Sequence, residues 1–224
     1  MKPNRLLSLL RAGKFTCGSW VSLCSPLGAE IMGLAGFDWL LIDMEHGAGD
    51  YQTLLAQLHA IAAAGETSPI VRVQGNDPNI VKRVLDLGAQ GVMVPGIRTV
   101  DEARLAIAGV KYPPEGMRGI ASVRASRFGQ DPDYLKEANH NIAVFLQFET
   151  EAAVEWAAEI LALPGIDVAF VGPNDLAAAL GHRGDLAHPQ VQAAIARVEE
   201  AANRQGVPLG TVSRNWEQAR GLVD

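Results

Sequence analysis

The sequence contains few cysteines, which argues against a scaffold held together by disulfide bonds. Only Cys17 and Cys24 occur among the 224 residues, and both lie in or beside a single apolar segment. Neither has the Cys and His spacing of a zinc site or of a disulfide framework. We therefore interpret both as small buried hydrophobic residues.

Positive charge and long apolar runs are also scarce. The chain carries 19 Lys and Arg against 25 Asp and Glu, for a net charge of −6. The densest basic stretch, residues 118–127, is interrupted by Gly, Ala and Ser, whereas a nucleic-acid-binding surface needs a continuous basic stripe. No run approaches the roughly 20 apolar residues of a membrane span, and the N-terminal residues lack the apolar core of a secretory signal. We expect a cytoplasmic protein with no nucleic acid or membrane partner.

Short apolar runs alternate along the whole chain with stretches of helical periodicity. Strands are predicted at residues 15–24, 39–43, 69–73, 91–95, 142–148, 168–171 and 208–212. Helices are predicted at residues 4–13, 26–34, 51–64, 79–87, 99–110, 151–163, 175–180, 189–204 and 215–223. Residues 112–130, between two of these elements, are predicted to be a long irregular loop, a feature that is usually functional or disordered.

Alternation of this kind predicts right-handed strand–helix–strand units and a parallel sheet. A doubly wound open sheet would usually show a glycine-rich turn after its first strand, but the first predicted strand ends in LCSP at residues 23–26. We therefore predict an α/β protein with the (β/α)8 TIM barrel fold, as one domain over residues 1–224. Seven units are counted where a closed barrel needs eight. Because an incomplete barrel leaves two unpaired edges, we expect that the natural C-terminus, with the last strand and helix, is absent from this sequence.

Two carboxylates, Glu149 and Asp175, each follow a short apolar predicted strand. In a barrel the carboxyl ends of the strands meet at one face, where the active site is built. Carboxylate oxygens suit Mg²⁺ and other hard divalent cations. The same two residues are equally suited to the first turns of the helices that follow, and their spacing alone does not decide between the two roles.

His46 directly follows the second predicted strand, and Asp43 lies three residues before it. An imidazole with a pKa near ~6.5 is suited to proton transfer at neutral pH. Asp43 can orient it only if the loop turns between them, because residues three apart on an ideal strand point to opposite faces. An ordinary loop histidine is the alternative.

Arg72 interrupts an otherwise apolar strand, IVRV at residues 70–73. Arginine in a doubly covered strand is rarely buried without a partner. Its guanidinium is suited to a substrate carboxylate or an enolate oxygen. A buried ion pair with Glu45 or Asp43 is the alternative.

The residues Gly172, Pro173, Asn174 and Asp175 form a turn before a predicted helix. Free backbone N–H groups at a helix N-terminus can bind a carboxylate, although many helices begin after such a turn.

Taken in order, these segments resemble a known family over nearly the whole chain. The matching motifs are WLLIDMEHG at residues 39–47, VRV at 71–73, GAQGVMVP at 88–95, KYPP at 111–114, GMRG at 116–119, RASRFG at 124–129, QFET at 147–150 and VGPNDL at 171–176. The chain resembles the class II, metal-dependent pyruvate aldolases, which include 4-hydroxy-2-oxoheptanedioate aldolase and 2-dehydro-3-deoxyglucarate aldolase.

The resemblance implies an aldolase that reversibly cleaves 4-hydroxy-2-oxo acids to pyruvate and an aldehyde on a barrel of the phosphoenolpyruvate/pyruvate type. It implies that Glu149 and Asp175 hold a divalent cation, Mg²⁺ or Mn²⁺, with Co²⁺ or Ni²⁺ as further options. Arg72 would stabilise the enolate oxygen, and His46, supported by Asp43, would take part in proton transfer. A homo-oligomer, typically a hexamer, is implied as well.

The remaining implications concern substrate contacts. Gln147 would contact the substrate or a metal-bound water, and the turn at Gly172, Pro173, Asn174 and Asp175 would bind the pyruvate carboxylate. By position alone, Val212 and the loop at residues 118–128 are expected to shape the aldehyde side. Two alternatives stay open: a metal-dependent carbon–carbon lyase acting on acyl-CoA esters, whose phosphates the arginines of residues 118–127 would bind, and a non-catalytic barrel that binds a small acid.

Overall fold

The structure of the chain, a computed structural model, describes residues 3–222, without the side chain of Trp216. The described strands form one seven-stranded sheet in chain order, and every neighbouring pair is parallel. The strands are β1 (Gly18–Val21), β2 (Trp39–Asp43), β3 (Ser68–Arg72), β4 (Gly91–Val94), β5 (Ala143–Phe148), β6 (Val168–Val171) and β7 (Leu209–Thr211). The predicted α/β fold with a parallel sheet is therefore confirmed.

Helices connect successive strands, as the sequence periodicity predicts. They are α1 (Arg5–Arg11), α2 (Pro26–Leu34), α3 (Tyr51–Ala64), α4 (Pro78–Asp86), α5 (Val100–Val110), α6 (Tyr134–Asn141), α7 (Glu151–Glu155), α8 (Ala157–Leu161), α9 (Pro173–Ala179), α10 (Pro189–Gln205) and α11 (Trp216–Gly221). A 3-10 helix covers Arg124–Gly129. The starts are fixed by side-chain caps, for example Ser25 Oγ accepting from Gly28 N at 3.1 Å and a reciprocal capping box between Thr99 and Glu102.

Most boundaries lie within one or two residues of the sequence prediction, but some elements differ more. Strand β1 begins only at Gly18, where pairing with Trp39 starts. The helix predicted at residues 151–163 is broken at Trp156, whose backbone departs from helical geometry. Helix α6 was missed because its sequence is mostly polar and no side chain caps its N-terminus. Val223, the end of the last predicted helix, lies outside the described residues.

The side chains of the strands alternate between two hydrophobic layers, as the period of two in a strand requires. One layer packs against the helices and includes Leu40, Val71 and Leu146. The other faces the concave side of the sheet and includes Leu41, Ile70, Met93, Phe145 and Phe170. Burial on both faces explains why these strands read as continuous apolar runs.

Ring contacts across the concave side show that the sheet is strongly curled. The ring centroids of Trp20 on β1 and Phe170 on β6 lie 5.7 Å apart, although four other strands lie between β1 and β6 in the sheet. In a flat sheet, inter-strand steps of about 4.8 Å would hold them about 24 Å apart. Trp39 and Phe145 meet in the same way at 6.1 Å. The described sheet is therefore a curled one whose edge strands are β1 and β7.

Helix α1 closes the end of the sheet at which the strands begin. Leu6 and Leu7 join the concave layer and are fully buried. Asn4, its N-cap, donates from Nδ2 to Gln90 O at 2.7 Å, and Leu6 N donates to Ser68 Oγ at 3.2 Å. Because Gln90 and Ser68 lie at the starts of β4 and β3, α1 covers the concave layer at this end of the sheet.

The interpretation of the cysteines as buried residues is wrong for Cys17, which is exposed, and only partly right for the half-buried Cys24. Cys17 precedes β1 at an edge of the sheet, and Cys24 follows β1 with a left-handed φ of 54°. Both are free thiols. Within residues 3–222, no helix combines the length and apolar character needed to cross a membrane.

Candidate active site

The residues singled out in the sequence lie at or just after the C-terminal ends of five strands. Asp43 and Arg72 end β2 and β3 and are register partners in that pair of strands. Gln147 lies in β5 with Glu149 just beyond it, Gly172 directly follows β6, and Val212 directly follows β7. All of these strands are parallel, so their C-terminal ends share one end of the sheet.

Asp43 is a buried carboxylate that fixes both the next strand and its own loop. Its Oδ1 accepts from Arg72 Nε at 3.0 Å, and its Oδ2 accepts from Arg72 Nη2 at 2.7 Å. Oδ1 also accepts from the backbone N–H groups of Glu45 and His46 at 3.1 and 3.2 Å. Burial alone would raise the pKa of Asp43, but the hydrogen bonds and charge of Arg72, together with these N–H groups, hold that pKa below its usual value.

Arg72 is held along two of its edges by carboxylates of the β2 loop. Beyond the paired bonds to Asp43, its Nη1 lies 3.2 Å from Glu45 Oε2. Burial lowers the pKa of Arg72, but Asp43, Glu45 and Glu149 raise it by more than burial lowers it. The net pKa lies above its usual value, so the guanidinium stays charged. Both ion pairs considered from the sequence are therefore present. A guanidinium has five N–H donors; two are hydrogen-bonded to Asp43 and Nη1 lies beside Glu45, so at least two are left for another ligand.

His46 is well exposed, with 70% of its side chain accessible, and its ring faces Glu45. Its Nε2 lies 3.8 Å from Glu45 Oε2. Asp43, which the sequence suggested as its orienting residue, instead holds the backbone N–H of His46. The loop makes the required turn between them, and Gly47 is needed there because a Cβ at that position would lie 2.1 Å from Asp43 O.

Glu149 is half-buried, and two other acidic side chains, Glu45 and Asp175, act on its charge. Its Oε1 accepts from Gly96 N at 2.7 Å, and its Oε2 accepts from Gln147 Nε2. Burial raises the pKa of Glu149, and the charges of Glu45 and Asp175 raise it further, against the lowering effect of the Gly96 and Gln147 hydrogen bonds. This carboxylate therefore lies in a field of like charge that a cation would relieve.

The turn predicted at residues 172–175 starts helix α9, and Gly172 is its N-cap. A Cβ on Gly172 would lie 3.0 Å from Gln147 Nε2 and 3.1 Å from Glu149 Oε2, so the backbone passes directly over these two side chains. Asp175 lies in the first turn of α9 and is exposed. Among the residues that the structure describes, no side chain caps this helix start. Asn174 Oδ1 accepts from Arg214 Nη2 at 2.8 Å.

Val212 and the loop at residues 118–128 lie in different places. Val212 is half-buried and packs against the concave hydrophobic layer. The loop lies against α4 and α6, where Arg118 pairs with Asp86 at 2.9 Å and Arg124 donates to Leu87 O. Because Asp86 and Leu87 precede β4, the loop lies near the starts of the strands. The expectation that it shapes the substrate side of this chain is therefore wrong.

Three contributors to this end of the sheet were not assigned a role from the sequence. Glu45 contacts both Arg72 and His46, Gly96 holds Glu149 through its backbone N–H, and Arg214 contacts Asn174. A signal for Gly96 was the Pro-Gly pair after the fourth strand, and its φ of 68° requires such a residue. Glu45 had been considered only as a partner of Arg72.

Two further observations concern metal binding and the position of the site. In the part of the chain that the structure describes, no group of three or more His, Cys, Asp or Glu residues is arranged to hold a metal ion. A cavity of about 460 Å³ lies at the opposite end of the sheet, beside Leu7, Leu10 and Asp167. The candidate site is thus an open, acidic surface at the strand ends and not the large cavity.

The chain is similar over nearly its whole length to known proteins. The 5-keto-4-deoxy-D-glucarate aldolase of Klebsiella pneumoniae is 42% identical over 223 residues, which is 99% of this chain and 87% of that protein. A Burkholderia cenocepacia HpcH/HpaI aldolase/citrate lyase family protein of known structure is 44% identical, with a TM-score of 0.94 over 97% of this chain and 88% of that one. An HpcH/HpaI aldolase from Desulfitobacterium hafniense is 33% identical, with a TM-score of 0.88 over 97% and 85%.

The family model for HpcH/HpaI aldolase/citrate lyase matches residues 16–224. The prediction that the chain is an enzyme, a carbon–carbon lyase of the aldolase type, is therefore confirmed. The resemblance seen in the sequence is confirmed too, and the chain belongs to the HpcH/HpaI aldolase/citrate lyase family.

Proposed function

We propose that this aldolase reversibly cleaves 4-hydroxy-2-oxo acids to pyruvate and an aldehyde. The observation that carries the proposal is the buried guanidinium of Arg72, held by Asp43 and Glu45 at the same end of the sheet as Glu149. Cleavage of the C3–C4 bond leaves negative charge on the keto oxygen, and a fixed cation with free N–H donors stabilises such charge. Relatives that are 42–43% identical are named for 5-keto-4-deoxy-D-glucarate, so a sugar acid of that kind is the first substrate to test.

The residues present fit a divalent cation held by Glu149 and Asp175. Both are carboxylates, and the charge of Asp175 raises the pKa of Glu149. A bound cation would offset this repulsion. Gln147 Oε1 is buried and accepts no hydrogen bond from the described residues, so a further oxygen is available beside them. When bound, the cation would supply Lewis-acid stabilisation of the keto oxygen. Mg²⁺ and Mn²⁺ suit oxygen ligands best, and Co²⁺ or Ni²⁺ are further candidates.

The other side chains have distinct roles in this proposal. Arg72 uses its two free N–H donors on the keto oxygen, while Asp43 keeps its plane fixed and holds the backbone of His46. His46, which is exposed at the rim, accepts the proton of the C4 hydroxyl as the C3–C4 bond breaks and its electron pair passes into the enolate of pyruvate. The enolate then takes up a proton at C3 from His46 or from water, and the same transfers run in reverse in the synthetic direction. Asp43, Arg72 and His46 thus form the catalytic group.

The remaining contacts bind the two halves of the substrate. Gln147 contacts the pyruvate part, and the backbone at Gly172, Pro173, Asn174 and Asp175 binds its carboxylate at the uncapped start of α9. Val212 contacts the aldehyde part from the β7 side, where it already packs on the concave layer.

We extend the proposal to the assembly and the complete fold. The curl of the sheet supports a single domain over residues 1–224 that is part of an eight-stranded TIM barrel of the phosphoenolpyruvate/pyruvate type. A homohexamer and a cytoplasmic location are proposed with it, and two free cysteines fit a reducing compartment. The acyl-CoA alternative is not favoured, since the arginines meant for the CoA phosphates lie near the starts of the strands.

The test is pyruvate release from 5-keto-4-deoxy-D-glucarate and from simpler 4-hydroxy-2-oxo acids, compared with cleavage of acyl-CoA esters. We expect pyruvate from the oxo acids and no cleavage of the thioesters. A folded protein that releases no pyruvate from any oxo acid, with divalent metal present, would contradict the proposal. Binding of pyruvate without turnover would instead favour a non-catalytic barrel.

A further inference from the structure

One oxygen atom, Glu45 Oε2, lies between the guanidinium of Arg72 and the imidazole of His46. It is 3.2 Å from Arg72 Nη1 and 3.8 Å from His46 Nε2. The oxygen is buried, and no described residue gives it a well-aligned hydrogen bond. A buried acceptor without a donor is unfavourable. A small movement of either side chain would bring an N–H donor to it.

The backbone of the loop that carries Glu45 is held in place by the side chain of Asp43. Asp43 Oδ1 accepts from Glu45 N at 3.1 Å and from His46 N at 3.2 Å. The close approach of Gly47 to Asp43 O allows no side chain there. The backbone that carries the Glu45 carboxylate therefore has little freedom. Only 23% of the Glu45 side chain is exposed.

Asp43 and Glu45 hold different parts of Arg72. Asp43 takes the Nε and Nη2 side of the guanidinium, which fixes its plane. Glu45 takes Nη1 alone. Because the guanidinium is one rigid plane, Glu45 adds a third point of contact that limits the tilt of this plane about its two bonds to Asp43, and Nη1 carries one of the two donors left for substrate.

His46 has little else to hold its ring. With 70% of its side chain exposed, it lacks the packing that would select one orientation. Among the described residues, the carboxylate of Glu45 lies within 4 Å of the His46 ring, at Nε2. An exposed imidazole without a partner samples several rotamers, and proton transfer needs one of them.

We propose that Glu45 is a positioning residue that orients Arg72 and His46 together through this single carboxylate oxygen. The inference rests on the proposed aldolase function and deepens it, because it ties the group that faces the keto oxygen to the group that moves the proton. Glu45 itself touches no substrate atom in this account.

The test compares Glu45→Ala, Glu45→Gln and the matched control Glu151→Ala, which removes an exposed acid just after β5 at the same end of the sheet. We expect Glu45→Ala to lower kcat for pyruvate release about 10- to 100-fold, as loss of an orienting partner does, with KM nearly unchanged. Glu45→Gln keeps an acceptor oxygen and recovers part of that loss. Glu151→Ala keeps the kcat of the unchanged chain.

A double-mutant cycle separates positioning from a general structural role. In a His46→Ala background, the further loss of kcat on Glu45→Ala becomes smaller than in the unchanged chain, because the partner is already gone. The same holds in an Arg72→Lys background. Equal losses in all three backgrounds, or a kcat for Glu45→Ala equal to that of the unchanged chain, would overturn the inference.

A crystal structure of Glu45→Ala decides the inference without any activity. We expect the guanidinium of Arg72 to tilt as one plane about its contact with Asp43, and the His46 ring to lose its single position. If both side chains stay in place, Glu45 does not position them. A chain that releases no pyruvate even without substitution counts against the proposed function alone, and the crystal structure still gives the answer on Glu45.

Discussion

The two ends of the curled sheet are built from the same seven strands but differ in what they contain. At the starts of the strands, α1 covers the concave layer, and polar groups such as Asn4, Lys111 and Asn139 are buried in hydrogen bonds to backbone atoms. At the other end, charged groups lie beside an open surface, where Arg72 pairs with two carboxylates. One end is built for stability and the other for binding, as in barrels generally.

The comparison shows that the two ends of one strand have different roles: residues at its start pack in the closed end, and residues at its C-terminal end belong to the candidate site. The same strand β5 begins at Ala143 against the closed end and delivers Gln147 and Glu149 to the open one. Substitutions at the open end should therefore change activity with little effect on folding, and those at the closed end should do the reverse. The following predictions test that division, from the largest expected effect to the smallest.

Replacing Glu149 by Ala should abolish most activity while the protein stays folded. Loss of a carboxylate that supports charge stabilisation at the keto oxygen removes several kcal/mol, or about 1,000-fold in kcat. The measurement is kcat for pyruvate release together with the midpoint of thermal unfolding. A variant with near-normal kcat would remove Glu149 from the site, and an unfolded one would break the division between the ends.

Arg72→Lys should lower kcat/KM by about 100-fold, because lysine cannot reproduce the planar contact with Asp43 and also face the substrate. The change keeps the charge, so a small effect would show that a point charge is sufficient and that the fixed plane of the guanidinium is not needed. Steady-state kinetics on one oxo acid decide between the two. Arg104→Lys, in an exposed pair with Asp101, is the matched control.

Asp43 should make stability depend on pH in acid, even though it belongs to the open end. Its pKa is lowered in the fold, so its contribution is present above the ordinary value of 3.8 and is lost as the pH falls through the lower folded value. The difference in free energy of unfolding between the unchanged chain and Asp43→Asn should therefore shrink below about pH 4. Denaturant unfolding at several pH values measures it, and a difference that grows in acid would contradict the sign.

Asn4→Ala should affect the closed end alone. It removes the N-cap of α1 and the bond to Gln90 O, so about 1–2 kcal/mol of unfolding free energy should be lost. We expect kcat at 25 °C to be unchanged. Urea denaturation and kinetics on the same sample test both parts, and a loss of kcat without a loss of stability would show that the two ends are coupled.

Much of the fold and of the site could be predicted from the sequence. Periodicity located the strand Trp39–Asp43 and the helix Tyr51–Ala64 because local patterns and caps determine them. The same patterns could not place the loop at residues 118–128, because its position depends on long-range contacts with Asp86 and Leu87. They could not show that Asp43 holds the backbone of His46 while Glu45 faces its ring, since that depends on how one tight loop turns.

The most direct test of the central claim is pyruvate release from 5-keto-4-deoxy-D-glucarate after treatment with EDTA and again after adding Mg²⁺ or Mn²⁺. The account predicts that activity disappears on chelation, returns with metal in the unchanged chain, and does not return in Glu149→Ala or Asp175→Ala. Full activity in the presence of EDTA, or recovery with metal in both variants, would contradict a metal-dependent aldolase site at this end of the sheet.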